Sequence, residues 1–420
     1  MIAAFTATRF PYPLSPIPYP LSPINYQLLC VMSVAVVSKR AAERWASGHP
    51  WIFRSDVVEF PEAPAGVARV VDQRGKALGV ALWSPNSEIA LRLLDRNADA
   101  IIHDGWWDNR IGEAIGRRAA LGEVANAYRL IHGEGDALPS LVCDRYADYL
   151  VVQLLSAGLE AFRSAIVHSL VRHTSSAGIL ARNDAAVRQR EALPRETTLL
   201  FGDVPRTVEV HEHGVRYVAA PWTGQKTGAF LDQRENRALT GMLAAGRATA
   251  LDCFSYHGSF ALHMARSAQR VTALDSSASA LERAAANAKL NGFANISFIE
   301  ADAFEYLREQ EESAARYDLI VLDPPAFAKT RASVPKALGG YNEINRRALR
   351  LLSRGGVLFT ASCSYHVSKA LFLDMLQHAA QDSGRRVALR RIVAQPLDHP
   401  EILTIPESGY IKGAVLEALD

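Results

Sequence analysis

The chain has 420 residues, 49% of them hydrophobic and 21% charged, a balance that excludes a disordered or collagen-like chain and predicts two or three globular domains. Lysine plus arginine (46) nearly matches aspartate plus glutamate (44), so the net charge of +2 does not announce nucleic acid, and any RNA contact must come from local basic runs such as 39–44, 182–195 and 385–391. Cys30, Cys143, Cys253 and Cys363 are scattered without zinc-ligand spacing, nothing demands a disulfide, and no apolar run has the length of a membrane span. A reducing cytoplasm fits, with neither metal nor membrane as partner.

Residues 1–33 carry a Pro-rich tandem repeat, YPLSPIP followed by YPLSPI. Proline fixes φ and removes a donor, so this extension is expected to be disordered. It lacks the basic and apolar regions of a signal peptide, and Met32, where the regular pattern begins, is an alternative start. From Val34 a short helix is broken at Gly48-His49-Pro50. Short strands at 68–72, 78–83 and 89–94, with turns between them, predict a small β-barrel over 34–105.

Residues 106–122 read as a charged connecting helix, and the rest of 106–220 as a small α+β unit. Its strands are expected at 140–144, 149–154 and 179–182, with a helix over 159–172 and a hairpin of 206–211 and 215–219. Glu134-Gly135-Asp136 and Asp144-Arg145-Tyr146 could be functional, with turn and packing roles the preferred reading.

The remainder, 221–420, is organised around 249–300. An apolar run ends in Asp252, a small-residue turn follows, a helix opens near Phe260, and strand 270–274 ends in Asp275. In such a strand–turn–helix–strand unit the second acid can accept both hydroxyls of a ribose. Gly258 lets the backbone approach a ligand, and the amides opening the helix are candidates for binding an anion. A dinucleotide cradle needs three glycines in this turn and only one is present, which speaks against a nicotinamide cofactor. The stretch 252–259 resembles motif I of class I S-adenosylmethionine methyltransferases, with Tyr256 in the first glycine slot, and the resemblance makes Asp252, Phe254 and Gly258 cofactor-binding residues.

Three further strands end the same way. Asp302 follows 296–299, Asp323-Pro324-Pro325 follows 319–322, and Cys363 follows 357–360. Asp252, Asp275, Asp302, Asp323 and Cys363 would then share the carboxyl edge of an open α/β sheet, where such sheets bind ligands. Upstream of them, Lys226, Gln233 or Arg234 could meet the methionine carboxylate of the cofactor; alternatively Asp232 simply caps the helix that follows.

GHPWIF and the short strands after it resemble a PUA domain, an RNA-binding module. In order, LIHGEGDALPSLVCDRY, KTGAFLDQRENR, CFSYHGSFALH, NAKLNG, DPPAFAKT, GGYNEIN, SCSYHV and DHPEILTIPESGYIKG resemble the bacterial PUA-containing 23S ribosomal RNA (cytosine-C5) methyltransferase I family, from Val34 to the C-terminus. Ser259 and Tyr365 depart from that pattern, where a glycine and a smaller residue are usual. The resemblance implies a Rossmann-like methyltransferase domain over 221–420, S-adenosylmethionine as cofactor and 23S ribosomal RNA, naked or in a pre-ribosomal particle, as partner; a homodimer stays open. It implies that the Cys363 thiolate adds to C6 of a flipped-out cytosine, making C5 nucleophilic toward the methyl group. Asp323 would hold N3 and N4 of the base, and Pro324 and Phe327 its ring. Asp302 would meet the adenine amino group, Ala303 would line that ring, and Tyr341 and Asn345 would brace the base loop. Two other readings stay open. Methylation at guanine N7 or an exocyclic amine would not need Cys363, and a non-catalytic ribosome-assembly factor would not need the intact set of Asp275, Asp323 and Cys363.

Overall fold

The computed structural model describes residues 33–420. The expected disorder of the Pro-rich extension and the question of Met32 lie outside the described residues.

The first sheet is built from β1 (Val34–Val37), β2 (Trp51–Ile52), β3 (Val57–Glu59), β4 (Gly66–Asp72), β5 (Ala77–Trp83) and β6 (Leu91–Asp95), in the order β2-β6-β5-β4-β1-β3. β1 and β4 are parallel and the other pairs antiparallel. The expected barrel is thus a six-stranded ladder with two ends, since no pairing joins β2 to β3. Alternate residues of β4, Ala68 and Val70, face a core that also holds Trp45, Ile52, Trp83 and Leu91. Trp45 arrives there on the helix Lys39–Ala46, which starts where the Ser38 hydroxyl accepts from the Ala41 amide.

The second sheet runs β11-β10-β9-β8-β7, with β7 (Ala127–His132), β8 (Leu141–Tyr146), β9 (Tyr149–Leu154), β10 (Gly178–Asn183) and β11 (Glu196–Gly202). The stretch expected as a connecting helix is instead core: Asp104–Gly116 buries Trp107, Ile111 and Ala114 against Ile166 and Leu170 of the helix Arg163–Thr174. The helix expected over 159–172 breaks at Ala161-Phe162 into a short turn, Ala157–Glu160, and that longer helix. A hairpin of β12 (Val208–Glu212) and β13 (Val215–Ala219) alternates buried and exposed residues. Its Val210 and Tyr217 share one core with Tyr146 of the second sheet and Leu262 and Ala288 of the C-terminal layer.

The third sheet has β14 (Thr249–Cys253), β15 (Arg270–Asp275), β16 (Ile296–Glu300), β17 (Tyr317–Leu322), β18 (Leu352–Ser362), β19 (Val387–Val393) and β20 (Lys412–Ala418), in the order β16-β15-β14-β17-β18-β20-β19. β14 to β18 are parallel, and β20 runs antiparallel between β18 and β19. Parallel strands covered on both faces read as unbroken apolar runs, and Leu319-Ile320-Val321-Leu322 are all fully buried. The chain leaves β14 toward β15 on one side and reaches β17 on the other, so the topological switch lies between β14 and β17. No helix among the described residues is long and apolar enough to cross a membrane.

A strap between β19 and β20 ties the three sheets together. Asp398 accepts from Arg234 Nη1 (2.8 Å) and Nη2 (3.1 Å) and from the Arg129 amide (2.9 Å), while its carbonyl accepts from Arg118 Nη2 (3.1 Å). Farther along, Thr404 Oγ1 donates to the Gly48 carbonyl (3.2 Å), and Glu407 pairs with His49 (3.2 Å).

Candidate active site

Four strands converge at the switch. In the turn after β14, Phe254 (φ 65°), Tyr256 (φ 51°) and Gly258 (φ 83°) all have left-handed backbone. Such strain in non-glycine residues clusters at ligand sites. A Cβ on Gly258 would stand 2.9 Å from the Ala284 Cβ, so glycine is required there by conformation and by space. Asp275, the last residue of β15, closes this turn: its Oδ2 accepts from the Tyr256 amide (2.9 Å) and its Oδ1 from Ser277 N (2.9 Å). Each oxygen keeps a lone pair for another donor.

Asp252 lies one residue inside β14 rather than at its end, fully buried. Its Oδ2 accepts from Ala261 N (2.9 Å), so this acid satisfies the opening of the helix Ser259–Ala265 and takes an amide expected to serve an anion. Its Oδ1 has no partner. Burial, and then the charges of Asp323 and Asp275, push its carboxyl well above the usual range. Asp302 caps the helix Ala303–Glu312 through the Phe304 and Glu305 amides. Beside it, Phe304, Phe254 and Tyr341 surround the Phe327 ring at centroid distances of 5.9, 6.5 and 4.6 Å.

Asp323 is the first residue after β17 and Cys363 the first after β18, on adjacent parallel strands. One buried hydroxyl ties their loops. Tyr341 Oη accepts from Ser362 Oγ (3.0 Å) and from the Phe327 amide (3.4 Å) and bonds Ser364 Oγ (2.9 Å), and Ser364 Oγ accepts from Ala328 N (3.1 Å). Asn345 donates to the Tyr341 carbonyl (2.8 Å). Pro324, next to Asp323, is buried. Asp323 Oδ1 accepts from Gln233 Nε2 (2.8 Å), and burial, then the charge of Asp232, raises its carboxyl to about 7. The Cys363 thiol, half-buried, is pushed up by burial and then by Asp323, while Lys226 and Lys412 pull it down.

Lys226 and Arg234 sit differently from expectation. Lys226 pairs with the buried Asp232, and Arg234 is fully buried on Asp398, which removes it as a partner for the cofactor. Lys412 was not anticipated. It faces Ser362 across the β18–β20 pair, and its buried ammonium donates to the carbonyls of Ser364 (2.7 Å) and Tyr410 (2.8 Å), with burial lowering it to about 8. The only signal for it was its place in the GYIKG stretch. Among the described residues no three His, Cys, Asp or Glu gather as a metal site.

The residues fit S-adenosylmethionine on three observations: the unpartnered buried Oδ1 of Asp252, the close approach that only Gly258 allows, and the open lone pairs of Asp275.

Comparison with known proteins agrees. A family model described as S-adenosylmethionine-dependent methyltransferase matches residues 128–404, and a PUA-like domain model matches 35–96. A protein of Tolumonas auensis named ribosomal RNA large subunit methyltransferase I is 39% identical over 381 residues, covering 88% of this chain and 96% of that protein. One of the same name from Erwinia tasmaniensis is 38% identical over 373 residues, 87% and 94% of the two chains. Among solved structures, a protein of Streptococcus mutans described as a SAM-dependent methyltransferase has a TM-score of 0.78 at 20% identity, covering 92% of this chain and all of that one. A methyltransferase solved in complex with SAH has a TM-score of 0.80 at 21% identity with the same coverage, a likeness of fold. The chain therefore uses S-adenosylmethionine and belongs to the ribosomal RNA large subunit methyltransferase I family of S-adenosylmethionine-dependent methyltransferases, with a PUA-like domain at its N-terminal side.

Proposed function

We propose that the chain methylates C5 of a cytidine in large-subunit ribosomal RNA, in the cytoplasm, through a covalent adduct between Cys363 and C6 of the base. The observation that carries this reading is the placement of Cys363 and Asp323 at adjacent strand ends, with one tyrosine holding both loops. The names of the relatives supply the RNA class. On this reading 34–105 is the RNA-binding PUA-like unit, 106–220 the central unit and 221–420 the catalytic unit, a division that splits no sheet and leaves the β12-β13 hairpin with the central unit.

Asp275 takes the ribose hydroxyls. Asp302 meets the adenine amino group, and Ala303, Phe254 and Phe327 line that ring; Phe327 moves here from the target base because its neighbours Phe254 and Phe304 lie on the nucleoside side. Asp252, Gly258 and Gln233 border the methionine end, while Lys226 is held on Asp232. When bound, S-adenosylmethionine supplies an electrophilic methyl group. The Cys363 thiolate adds to C6, and the electron pair released toward C5 makes that carbon the nucleophile. Asp323, protonated, donates to N3 as negative charge arrives there, and Pro324 walls the ring. Loss of the C5 proton to a base then expels the thiolate and restores the aromatic ring. The base must leave its stack for the sulfur to reach C6.

The test is trapping with RNA that carries 5-fluorocytidine at the target, where fluorine cannot leave as a proton does. Wild type should give an adduct stable in denaturing gels and Cys363→Ala none; equal yields would remove Cys363 as nucleophile. Ribosomal RNA from a strain lacking the gene should lose one 5-methylcytidine, and retention of all of them would reject the assigned product.

A further inference from the structure

A cavity of about 200 Å³ opens between the second sheet and the catalytic layer, walled by Arg129, Asp144, Lys226, Asp232, His399 and Tyr410. It is smaller than the ~300–1,000 Å³ of pockets for drug-sized ligands, which suits a single small ring. Two short routes, one through the chain and a hydrogen bond and one through two hydrogen bonds, join it to the proposed chemistry. Asp232 precedes Gln233, whose amide donates to Asp323 at 2.8 Å. The Tyr410 carbonyl accepts from Lys412, which also donates to the carbonyl of Ser364, the residue after Cys363. The lining holds neither Asp323 nor Cys363, but these neighbours link it to both, and the charges of its Asp232 and Lys226 act on both groups.

Most polar atoms of the wall are matched. Arg129 forks onto Asp144 at 2.8 and 2.9 Å, and Thr227 Oγ1 donates to the same acid at 2.6 Å. Lys226 and Tyr410 Oη (2.9 Å) both donate to Asp232 Oδ2. Two buried wall atoms are left over, His399 Nδ1 and Asp232 Oδ1. Asp232 Oδ1 has no partner although only 3% of the residue is exposed. Burial opposes ionisation of Asp232, but Lys226, His399 and Tyr410 together outweigh it and keep the carboxyl below its ordinary range. A buried carboxylate oxygen accepts only, so it demands a donor from whatever enters.

We propose that this cavity receives the amino edge of the extruded base, with Asp232 Oδ1 accepting from the N4 amine of cytosine, and that it selects cytosine over uracil. The inference rests on the cytosine-C5 reading above. It divides the labour between two acids: Asp323 holds N3, and Asp232 reads N4. Uracil would turn its O4 acceptor toward the carboxylate, leaving both unpaired, and sites built around a substrate N–H reject the analogue that lacks it.

The experiment uses the full chain and an RNA fragment centred on the mapped cytidine, carrying 5-fluorocytidine or 5-fluorouridine there. Wild type should trap the first at least tenfold faster than the second. Asp232→Asn, whose amide can face O4 with its NH₂, should lose that preference at least tenfold, while calorimetry shows S-adenosylmethionine still bound. Ala229→Leu, which fills the cavity from another wall residue, should block trapping without touching an acid. Equal trapping of the two bases by wild type, an unchanged preference in Asp232→Asn, or wild-type trapping by Ala229→Leu would each overturn the inference and leave the Cys363 adduct standing. No adduct from wild type with either RNA would instead reject the cytosine-C5 reading itself.

Discussion

The strap between β19 and β20 should fail at one residue. Asp398 and Arg234 are both inaccessible to solvent, and the carboxylate answers two guanidinium nitrogens and the Arg129 amide. Asp398→Ala leaves a buried cation whose nearest remaining acid is Glu235, 3.6 Å away and half-exposed. Breaking such a pair from one side costs about 3–5 kcal/mol. The orphaned Arg129 amide adds about 1–3 kcal/mol. A loss of roughly 4 kcal/mol is expected once water reaches part of the gap. Removing both charges is milder, because buried pairs replaced by apolar groups are often neutral, so Asp398→Ala with Arg234→Met should recover about 2 kcal/mol of the loss. Urea unfolding followed by circular dichroism and by tryptophan fluorescence measures this, provided the two probes give coincident transitions. A single variant within about 1 kcal/mol of wild type, or a double variant no better than the single, would refute the reasoning.

Asp323→Asn should gain stability relative to wild type as pH climbs from about 4 to about 7 and hold the gain above that. The native acid keeps its proton to about 7 while the unfolded chain releases it near 3.8, so unfolding of wild type is favoured by rising pH across that window; parallel melting curves of the two proteins across it would reject the raised carboxyl. Tyr341→Phe removes the hydroxyl that joins Ser362, Ser364 and the Phe327 amide, with an expected cost of about 1–3 kcal/mol and slower adduct formation at unchanged cofactor affinity. A thermal melt and single-turnover trapping read both effects, and unchanged trapping would deny the brace a part in placing Cys363. Gly258→Ala must adopt φ 83° and meet Ala284 at 2.9 Å, so calorimetry should show S-adenosylmethionine bound at least tenfold more weakly. Asp275→Ala should do likewise, and unchanged affinity would reject the ribose role.

The parallel strands were legible because burial on both faces leaves a run such as Leu319-Ile320-Val321-Leu322 nothing polar to hide, and the first polar residue after the run marks the ligand edge. Asp323 and Cys363 stand there as read; Asp252 was misjudged by one residue because an acid can be buried when an amide meets it. The same limit hid the strap. Arg188, Arg234 and Arg237 look like surface charge in a sequence, yet all three are fully buried, held by Glu160, Asp398 and Glu212. Their partners lie 28, 164 and 25 residues away, beyond any local pattern. β7 is not legible because YRLIH runs straight into Gly133, and the break at Ala161-Phe162 is hidden because the apolar period of the helix after β9 continues across it.

The two strand-end groups also explain why the thiol should stay quiet until substrate arrives. In the protein alone, burial and the charge of Asp323 both favour the protonated Cys363, against the pull of Lys226 and Lys412. Asp323 itself titrates at about 7, so the opposing charge is held only weakly at neutral pH. On the proposed chemistry a base whose N3 accepts from Asp323 fixes the proton there. That removes the Asp323 carboxylate's repulsion in the same event that brings C6 to the sulfur, and the ammonium of Lys412, fixed by two carbonyls beside the loop, then acts with Lys226 against the remaining charge of Asp232 alone. Thiolate formation would follow base entry rather than precede it, and the thiol would resist alkylation and oxidation between turnovers. The coupling needs no moving part: it follows from an acid with a carboxyl near neutrality placed beside a cysteine and a buried lysine on neighbouring strands.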